Sequence, residues 1–180
     1  GTTPGSEVIK QLALENSINP RILVALIESE SGWVRGTPET SEQSLYPFGY
    51  IRSDRGGMYQ QTGWAIRQLT EGYYGWRSGT LTELTFPDGT TLRLSPSLNA
   101  GTVAVLNFFA GLHDREEWQD IVFGKNGIAP IYSDLFGDPW ERVMGIDPLF
   151  PIGIQQPELM LPFPINQKWN LTGGPHSAWG

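Results

Sequence analysis

The chain has 180 residues, enough for one domain of ordinary size or for one domain with an appendage. Its 12 basic and 19 acidic side chains give a formal net charge of −7, so it has no overall field to attract nucleic acid or an anionic membrane. No run of about 18 apolar residues occurs, which argues against a membrane-spanning helix. The lack of cysteine excludes disulfides, thiol catalysis and cysteine-ligated zinc.

Glycine and proline are unusually frequent. The 22 Gly and 14 Pro residues make up one fifth of the chain, against about 12% in an average protein. Seven Trp, six Tyr and eight Phe side chains nevertheless supply ample apolar surface to bury. The composition therefore predicts a compact core with long, turn-rich connections. The first residues, 1–6, resemble no signal peptide, so we expect any export signal to be absent from this chain.

Apolar periodicity and end signals predict a mainly α domain with six helices. The second helix has the strongest signals: Asn19 can cap it, Pro20 suits its first turn, and Gly32 can end it. For the helix that begins near Asp114, Glu117 is placed to complete a capping box. The predicted helices cover Ser6–Asn16, Pro20–Ser31, Met58–Trp76, Leu98–Leu112, a segment from Asp114, and Ile128–Phe136.

Three segments fall outside this helical pattern. Residues 33–57 show no periodicity and predict a long surface loop, a feature that is usually functional. Asp88-Gly89 between two short apolar runs predicts a β-hairpin over Leu84–Leu92. Five prolines between residues 146 and 165 predict an extended linker or strap.

One glutamate falls on the inward face of the second helix. Leu23, Leu26 and Ile27 lead to Glu30 at helical spacing. A carboxyl group at the rim of an apolar face tends to have a raised pKa because burial disfavours its charge. Such an acid keeps the proton that general-acid cleavage of a glycosidic bond needs. The alternative is that Glu30 emerges into solvent or pairs with an arginine.

Residues 19–32, Asn-Pro-Arg-Ile-Leu-Val-Ala-Leu-Ile-Glu-Ser-Glu-Ser-Gly, resemble the segment that carries the catalytic Glu-Ser pair of lytic transglycosylases. Residues 57–60, Gly-Met-Tyr-Gln, and residues 97–101, Ser-Leu-Asn-Ala-Gly, resemble two further motifs of those lysozyme-like enzymes, in the same order. The resemblance covers about half of the chain. It implies a lysozyme-like fold and cleavage of the glycan strands of bacterial peptidoglycan.

The same resemblance implies roles for particular residues. Glu30 would be the catalytic acid and base, and Ser31, Gln60 and Asn99 would bind or position the substrate. From the residues alone, Gln60 can equally be a solvated residue at a helix start, and Asn99 a helix N-cap. A single acid is sufficient in this family, because the C6 hydroxyl of the substrate completes the reaction as a 1,6-anhydro product.

Exposed aromatic side chains could stack on sugar rings, although core or loop packing is the alternative for each. Tyr59 is included among the predicted substrate-binding residues. The full set of candidates is Trp33, Tyr46, Phe48, Tyr50, Tyr59 and Trp64.

The C-terminal residues resemble a second family. Leu-Pro-Phe-Pro at 161–164, Trp169 and Thr-Gly-Gly-Pro-His at 172–176 are similar to the opening of lysostaphin-type zinc endopeptidases, which cut peptidoglycan cross-links. The resemblance implies that His176 is the first zinc ligand of a site whose other ligands lie beyond this sequence. The alternative is a C-terminal tail with an incidental histidine. For His113, the other histidine, the sequence predicts an ordinary position at a helix end.

These observations predict three parts: a lysozyme-like domain over 1–145, a Pro-rich linker over 146–160, and the truncated edge of a zinc endopeptidase over 161–180. The predicted function is a bacterial peptidoglycan hydrolase component in the cell envelope or outside the cell, with glycan strands as the partner. We expect no cofactor for the first domain and zinc in the longer protein. The alternative is a non-catalytic wall-binding or positioning domain that serves the peptidase. Leu98, which stands where transglycosylases have a supporting tyrosine, favours the alternative.

Overall fold

A computed structural model describes residues 3–144, 155, 158 and 166–168. The chain divides into two compact units, 1–142 and 143–180. Of the second unit the structure describes a few residues, including a turn at Asn166 with a φ of +67°. The predicted linker over 146–160, the predicted peptidase edge and His176 lie almost entirely outside the described residues.

The described part is mainly α, as predicted, with one small antiparallel sheet. The helices are α1 Gly5–Glu15, α2 Pro20–Ser31, α3 Ser41–Leu45, α4 Met58–Ser78, α5 Ala100–Ala110, α6 Arg115–Phe123, α7 Ile128–Phe136 and α8 Pro139–Met144, and the strands are β1 Glu83–Thr85 and β2 Thr91–Arg93. In this part of the chain, every helix is too short or too polar to traverse a bilayer.

Helix α2 begins and ends as its sequence predicts. The Asn19 side chain accepts a hydrogen bond from the backbone N–H of Arg21 at 3.0 Å, which satisfies one of the free donors of the first turn. Gly32 ends the helix in the left-handed region, with a φ of +65°, where a side chain would be strained. Its apolar face buries Leu23, Leu26 and Ile27 almost completely.

Helices α4 and α5 pack against each other at the centre of the domain. A Cβ atom at Gly72 would lie 2.8 Å from the Cα of Ala104, so the absence of a side chain allows the two backbones to approach. Phe108 and Phe109 of α5 are fully buried, and the ring of Phe108 meets Trp64 of α4 at 5.4 Å. One continuous hydrophobic core therefore joins α1, α2, α4 and α5 to the hairpin.

The predicted hairpin is confirmed. Strands β1 and β2 pair with Leu84 opposite Leu92, and Gly89 turns the chain with a φ of +82°. The Asp88 side chain accepts hydrogen bonds from the backbone and the hydroxyl of Thr90, which holds the turn.

Two helices were not predicted. The loop over 33–57 contains α3, whose N-terminus is stabilised by a capping box between Thr40 and Gln43. At five residues, α3 is too short for periodicity to reveal it. Helix α8 begins at Pro139, where a proline at the first position favours a helix start.

Candidate functional site

Glu30 lies on the inward face of α2, as its spacing predicts, and 6% of its side chain is exposed. Glu28 points elsewhere and accepts hydrogen bonds from the backbone N–H groups of Val34 and Arg35. The partner of Glu30 is neither an arginine nor solvent. Both of its carboxylate oxygens lie 3.1 Å from Nε2 of His113.

His113 lies in the turn between α5 and α6 and is held between two carboxylates. Its Nε2 faces Glu30, and its Nδ1 lies 3.4 Å from Oε2 of Glu117. Glu117 is on the first turn of α6, where Asp114 accepts hydrogen bonds from the backbone of Glu116 and Glu117. Asp114 therefore caps the helix, and the side chain of Glu117 turns to the histidine.

Burial by itself would lower the pKa of His113, because the interior disfavours its positive charge. Hydrogen bonds and attraction from Glu30, with a smaller contribution from Glu117, outweigh this effect and raise the pKa above its ordinary value. The protonated ring donates one N–H to each carboxylate, so it joins the end of α2 to the start of α6 electrostatically.

Gly49 closes the other side of the Glu30 carboxylate. Its φ is +76°, and a Cβ atom placed there would lie 2.6 Å from Oε2 of Glu30. Ser31, the next residue of α2, is buried, and its hydroxyl donates to the backbone oxygens of Ile27 and Pro47. Ser31 therefore ties α2 to the loop that carries Gly49.

A fully buried glutamine, Gln61, holds the rest of this loop. Its amide nitrogen donates to the backbone oxygens of Tyr50 and Arg55 at 2.7 and 2.8 Å, and its amide oxygen accepts from the N–H of Phe48. It follows directly after the motif that resembles a transglycosylase sequence.

The other predicted substrate-binding residues are not in contact with Glu30. Tyr59 and Gln60 are exposed on the first turn of α4, and Tyr59 is 61% exposed. Asn99 is the N-cap of α5, where its side chain accepts from the backbone N–H of Thr102 at 2.9 Å. Their roles in binding stay predictions.

Of the aromatic candidates for stacking on sugar, two are in the core. Phe48 is fully buried and Trp64 is 6% exposed, so neither presents a ring face to a ligand. Tyr50 stacks on Trp64 at 4.3 Å between ring centroids. For these three rings, packing is the observed role.

Sequence reasoning missed His113, Gly49 and Gln61. The spacing of His113 and Glu117 is a local helical signal, but it does not point to Glu30, which is 83 residues away. In the described part of the chain, no group of three or more His, Asp or Glu side chains could hold a metal ion. The two carboxylates at His113 lie on opposite ring nitrogens, which explains why this cluster is not such a group.

The site is suited to holding a proton between a carboxylate and an imidazole. Both oxygens of Glu30 face Nε2 of His113 at 3.1 Å, and 6% of the side chain is exposed, so the carboxylate is turned to the histidine rather than to solvent. Three clefts lie elsewhere on the domain, and neither Glu30 nor His113 forms part of their walls.

Comparison with known proteins relates the chain to a family. No curated protein and no solved structure matches the chain significantly. The family model described as LasA, N-terminal domain, matches residues 2–151. LasA is a secreted staphylolytic peptidase, consistent with the resemblance of the C-terminal residues to lysostaphin-type enzymes. The match spans most of the chain, which therefore belongs to the LasA N-terminal domain family.

Proposed function

We propose that this chain is a non-catalytic domain of a secreted zinc endopeptidase that acts on bacterial peptidoglycan, and that it binds or positions the wall. The family supports the connection with a cell-wall peptidase. In this proposal the domain works in the cell envelope or outside the cell and needs no metal. Zinc would belong to the peptidase, with His176 as one of its ligands.

The arrangement of Glu30 supports a non-catalytic role. A general acid needs a proton and a path to the substrate oxygen. Both carboxylate oxygens of Glu30 instead contact Nε2 of His113, and 6% of the side chain is exposed. Gly49 lies close to Oε2 on the other side. Ser31, the second member of the motif, uses its hydroxyl in two backbone hydrogen bonds.

Glycan cleavage by Glu30 is the second candidate. The observation that favours it is the position of a buried carboxylate at the end of a helix next to a proton-binding imidazole, which is 21% exposed. In that mechanism, Glu30 would take the proton when the ion pair opens and deliver it to the glycosidic oxygen. The C6 hydroxyl of the substrate would then attack C1 and give its proton to the Glu30 carboxylate, which forms the 1,6-anhydro product.

The two candidates are distinguished by incubating purified insoluble peptidoglycan with the chain and with Glu30→Gln. Soluble products are analysed by mass spectrometry, and the bound protein is measured after sedimentation. Glu117→Gln is the matched control, since it removes an exposed carboxylate from the same histidine.

We expect all three proteins to sediment with the wall and none to release muropeptides. Release of 1,6-anhydro-muropeptides by the wild type and not by Glu30→Gln would replace the proposal with glycan cleavage. Failure of the folded wild type to bind the wall or to cut it would refute both functions for this domain.

A further inference from the structure

One cleft, whose lining contains neither Glu30 nor His113, has no role in the function proposed above. It has a volume of about 870 Å³ and lies between β2 and helices α5, α6 and α7. Its walls combine aliphatic side chains such as Leu92 and Val105 with aromatic ones such as Tyr132 and Trp140. Polar side chains, including Gln119, also line it.

Two arginines at the cleft give it a charge opposite to that of the chain. Arg93 and Arg115 are exposed, and among the described side chains of residues 3–141 neither has an ion pair, a hydrogen bond from its guanidinium or a ring partner. Among the described residues of the lining, Asp138 is the one acidic side chain, and it accepts a hydrogen bond from the backbone N–H of Trp140. The lining therefore carries net positive charge in a chain of −7.

Strand β2 presents a free backbone edge to the same cleft. Hydrogen bonds from Phe86 to Thr90 and from Leu94 to Thr82 fix which residues pair with β1. Because bonded and non-bonded pairs alternate in an antiparallel ladder, the N–H and C=O groups of Thr91 and Arg93 point away from β1. The described sheet has two strands, so these groups have no strand on their outer side.

We propose that this cleft binds an extended peptide segment of a protein partner, in which carboxylate side chains alternate with aliphatic ones. The peptide backbone adds a third strand along β2 and pairs with the outward groups of Thr91 and Arg93. Side chains alternate between the faces of a strand, so the aliphatic ones lie on the face of Leu92 and the carboxylates on the face of Arg93. Arg115, on α6, adds a second positive charge to the cleft.

The test uses fluorescein-labelled Val-Glu-Val-Glu-Val and the full chain, with fluorescence anisotropy at low salt as the readout. The same peptide with Gln in place of Glu, an N-methylated version and an unlabelled chito-oligosaccharide competitor are measured beside it. The protein variants are Arg93→Gln with Arg115→Gln, Thr91→Pro, and the matched control Lys125→Gln. Lys125 is exposed and lies outside the cleft.

We expect saturable binding of the Glu peptide, which weakens by about tenfold or more in the double arginine variant because charge-assisted hydrogen bonds are lost. Lys125→Gln should bind like the wild type. Thr91→Pro removes an outward N–H without touching the ladder bonds to β1, so it should weaken binding while the thermal unfolding temperature is nearly unchanged. The N-methylated peptide tests the same contact if that variant does not fold.

Three results would overturn the inference. They are no saturation at millimolar peptide, equal binding of the Gln and Glu peptides, and equal binding of the N-methylated peptide. Displacement of the peptide by the chito-oligosaccharide would assign the cleft to a glycan instead. None of these results depends on whether the domain binds or cuts peptidoglycan.

Discussion

At the scale of single residues, the centre of the domain depends on one histidine between two carboxylates of very different exposure. The Glu30 side chain is 6% exposed, whereas that of Glu117 is 64% exposed. Solvent screens the second contact much more than the first. We therefore expect the contact with Glu30 to carry most of the stabilisation that His113 provides.

The contribution of His113 to stability should depend on pH. Its pKa is raised in the folded protein, so the stabilisation is fully present below the unfolded value of about 6.5 and is lost as pH rises through the folded value. We expect His113→Gln to reduce the free energy of unfolding by about 1.5–3 kcal/mol near pH 6, with a smaller reduction near pH 9. Urea unfolding of the wild type and of His113→Gln at the two pH values measures this dependence. Because both proteins contain His176, its effect cancels in the difference between their free energies of unfolding.

Glu117→Gln is the control for that experiment. It removes a mostly exposed partner of the same ring, so we expect a change of about 0–1 kcal/mol. A pH-independent difference between wild type and His113→Gln would show that the ion pair with Glu30 does not contribute through the proton on His113.

Gly49 should be intolerant of a side chain because of the Glu30 carboxylate. Gly49→Ala and Gly79→Ala share the cost of a positive φ, which is +76° and +75°. At Gly79 an added Cβ meets open space, whereas at Gly49 it lies 2.6 Å from a carboxylate oxygen. We expect about 1 kcal/mol of destabilisation for Gly79→Ala and about 2–4 kcal/mol for Gly49→Ala.

Chemical denaturation of the two variants checks this difference. In a Glu30→Ala background, the excess cost of Gly49→Ala should disappear, because the atom that it meets is gone. If the excess persists in that background, the restriction at Gly49 comes from other neighbours.

At the scale of elements, a single side chain of α4 organises the long connection between α2 and α4. The three hydrogen bonds of Gln61 reach Phe48, Tyr50 and Arg55, so the helix fixes a loop that has little secondary structure of its own. The loop in turn brings Gly49 to Glu30. The position of the site therefore depends on where α4 starts as well as on α2.

Substitutions of the neighbouring glutamines Gln60 and Gln61 on α4 should differ sharply in their effect on stability. Gln61→Ala leaves one buried backbone donor and two partly buried acceptors without this partner, and we expect it to lower the free energy of unfolding by about 2–4 kcal/mol. Gln60→Ala, on the exposed side of the same turn, should change it by less than about 0.5 kcal/mol.

Thermal and urea unfolding provide the measurement, and wall binding of Gln60→Ala provides an independent readout. A loss of binding without a loss of stability would support the predicted substrate role of Gln60. Equal destabilisation by both substitutions would contradict the assignment of the loop contacts to Gln61.

At the scale of the whole unit 1–142, one core connects α1, α2, α4, α5 and the hairpin, while α7 contains no buried residue. Regions with few buried contacts open locally, whereas core helices open with the whole domain. We expect the slowest amides of α2, α4 and α5 to exchange hydrogen with one common free energy of about 5–15 kcal/mol. Amides of α7 should exchange hydrogen with a smaller free energy.

Native-state hydrogen exchange followed by mass spectrometry measures both groups in one experiment. Protection of α7 equal to that of α2 would contradict this division. Different free energies for α4 and α5 would show that the two central helices do not open together.

Local rules in the sequence determined most elements of the fold. Asn19, Pro20 and Gly32 fix the ends of α2, Asp88-Gly89 fixes the hairpin, and the apolar spacing fixes which side of α2 faces inward. These signals act over a few residues, where capping and turn chemistry dominate. They are sufficient to predict that Glu30 points inward.

The partner of Glu30 was decided by tertiary structure. His113 and Gly49 reach the carboxylate because the packing of α2, α4 and α5 brings together chain segments that are far apart, and no local pattern encodes that distance. The same holds for the cleft beside β2, which forms because α6 packs on α5 and α7 packs on α2 and α6. Spacing predicts the face of a helix on which a side chain lies. Which charged group that side chain contacts depends on the packing of the whole domain.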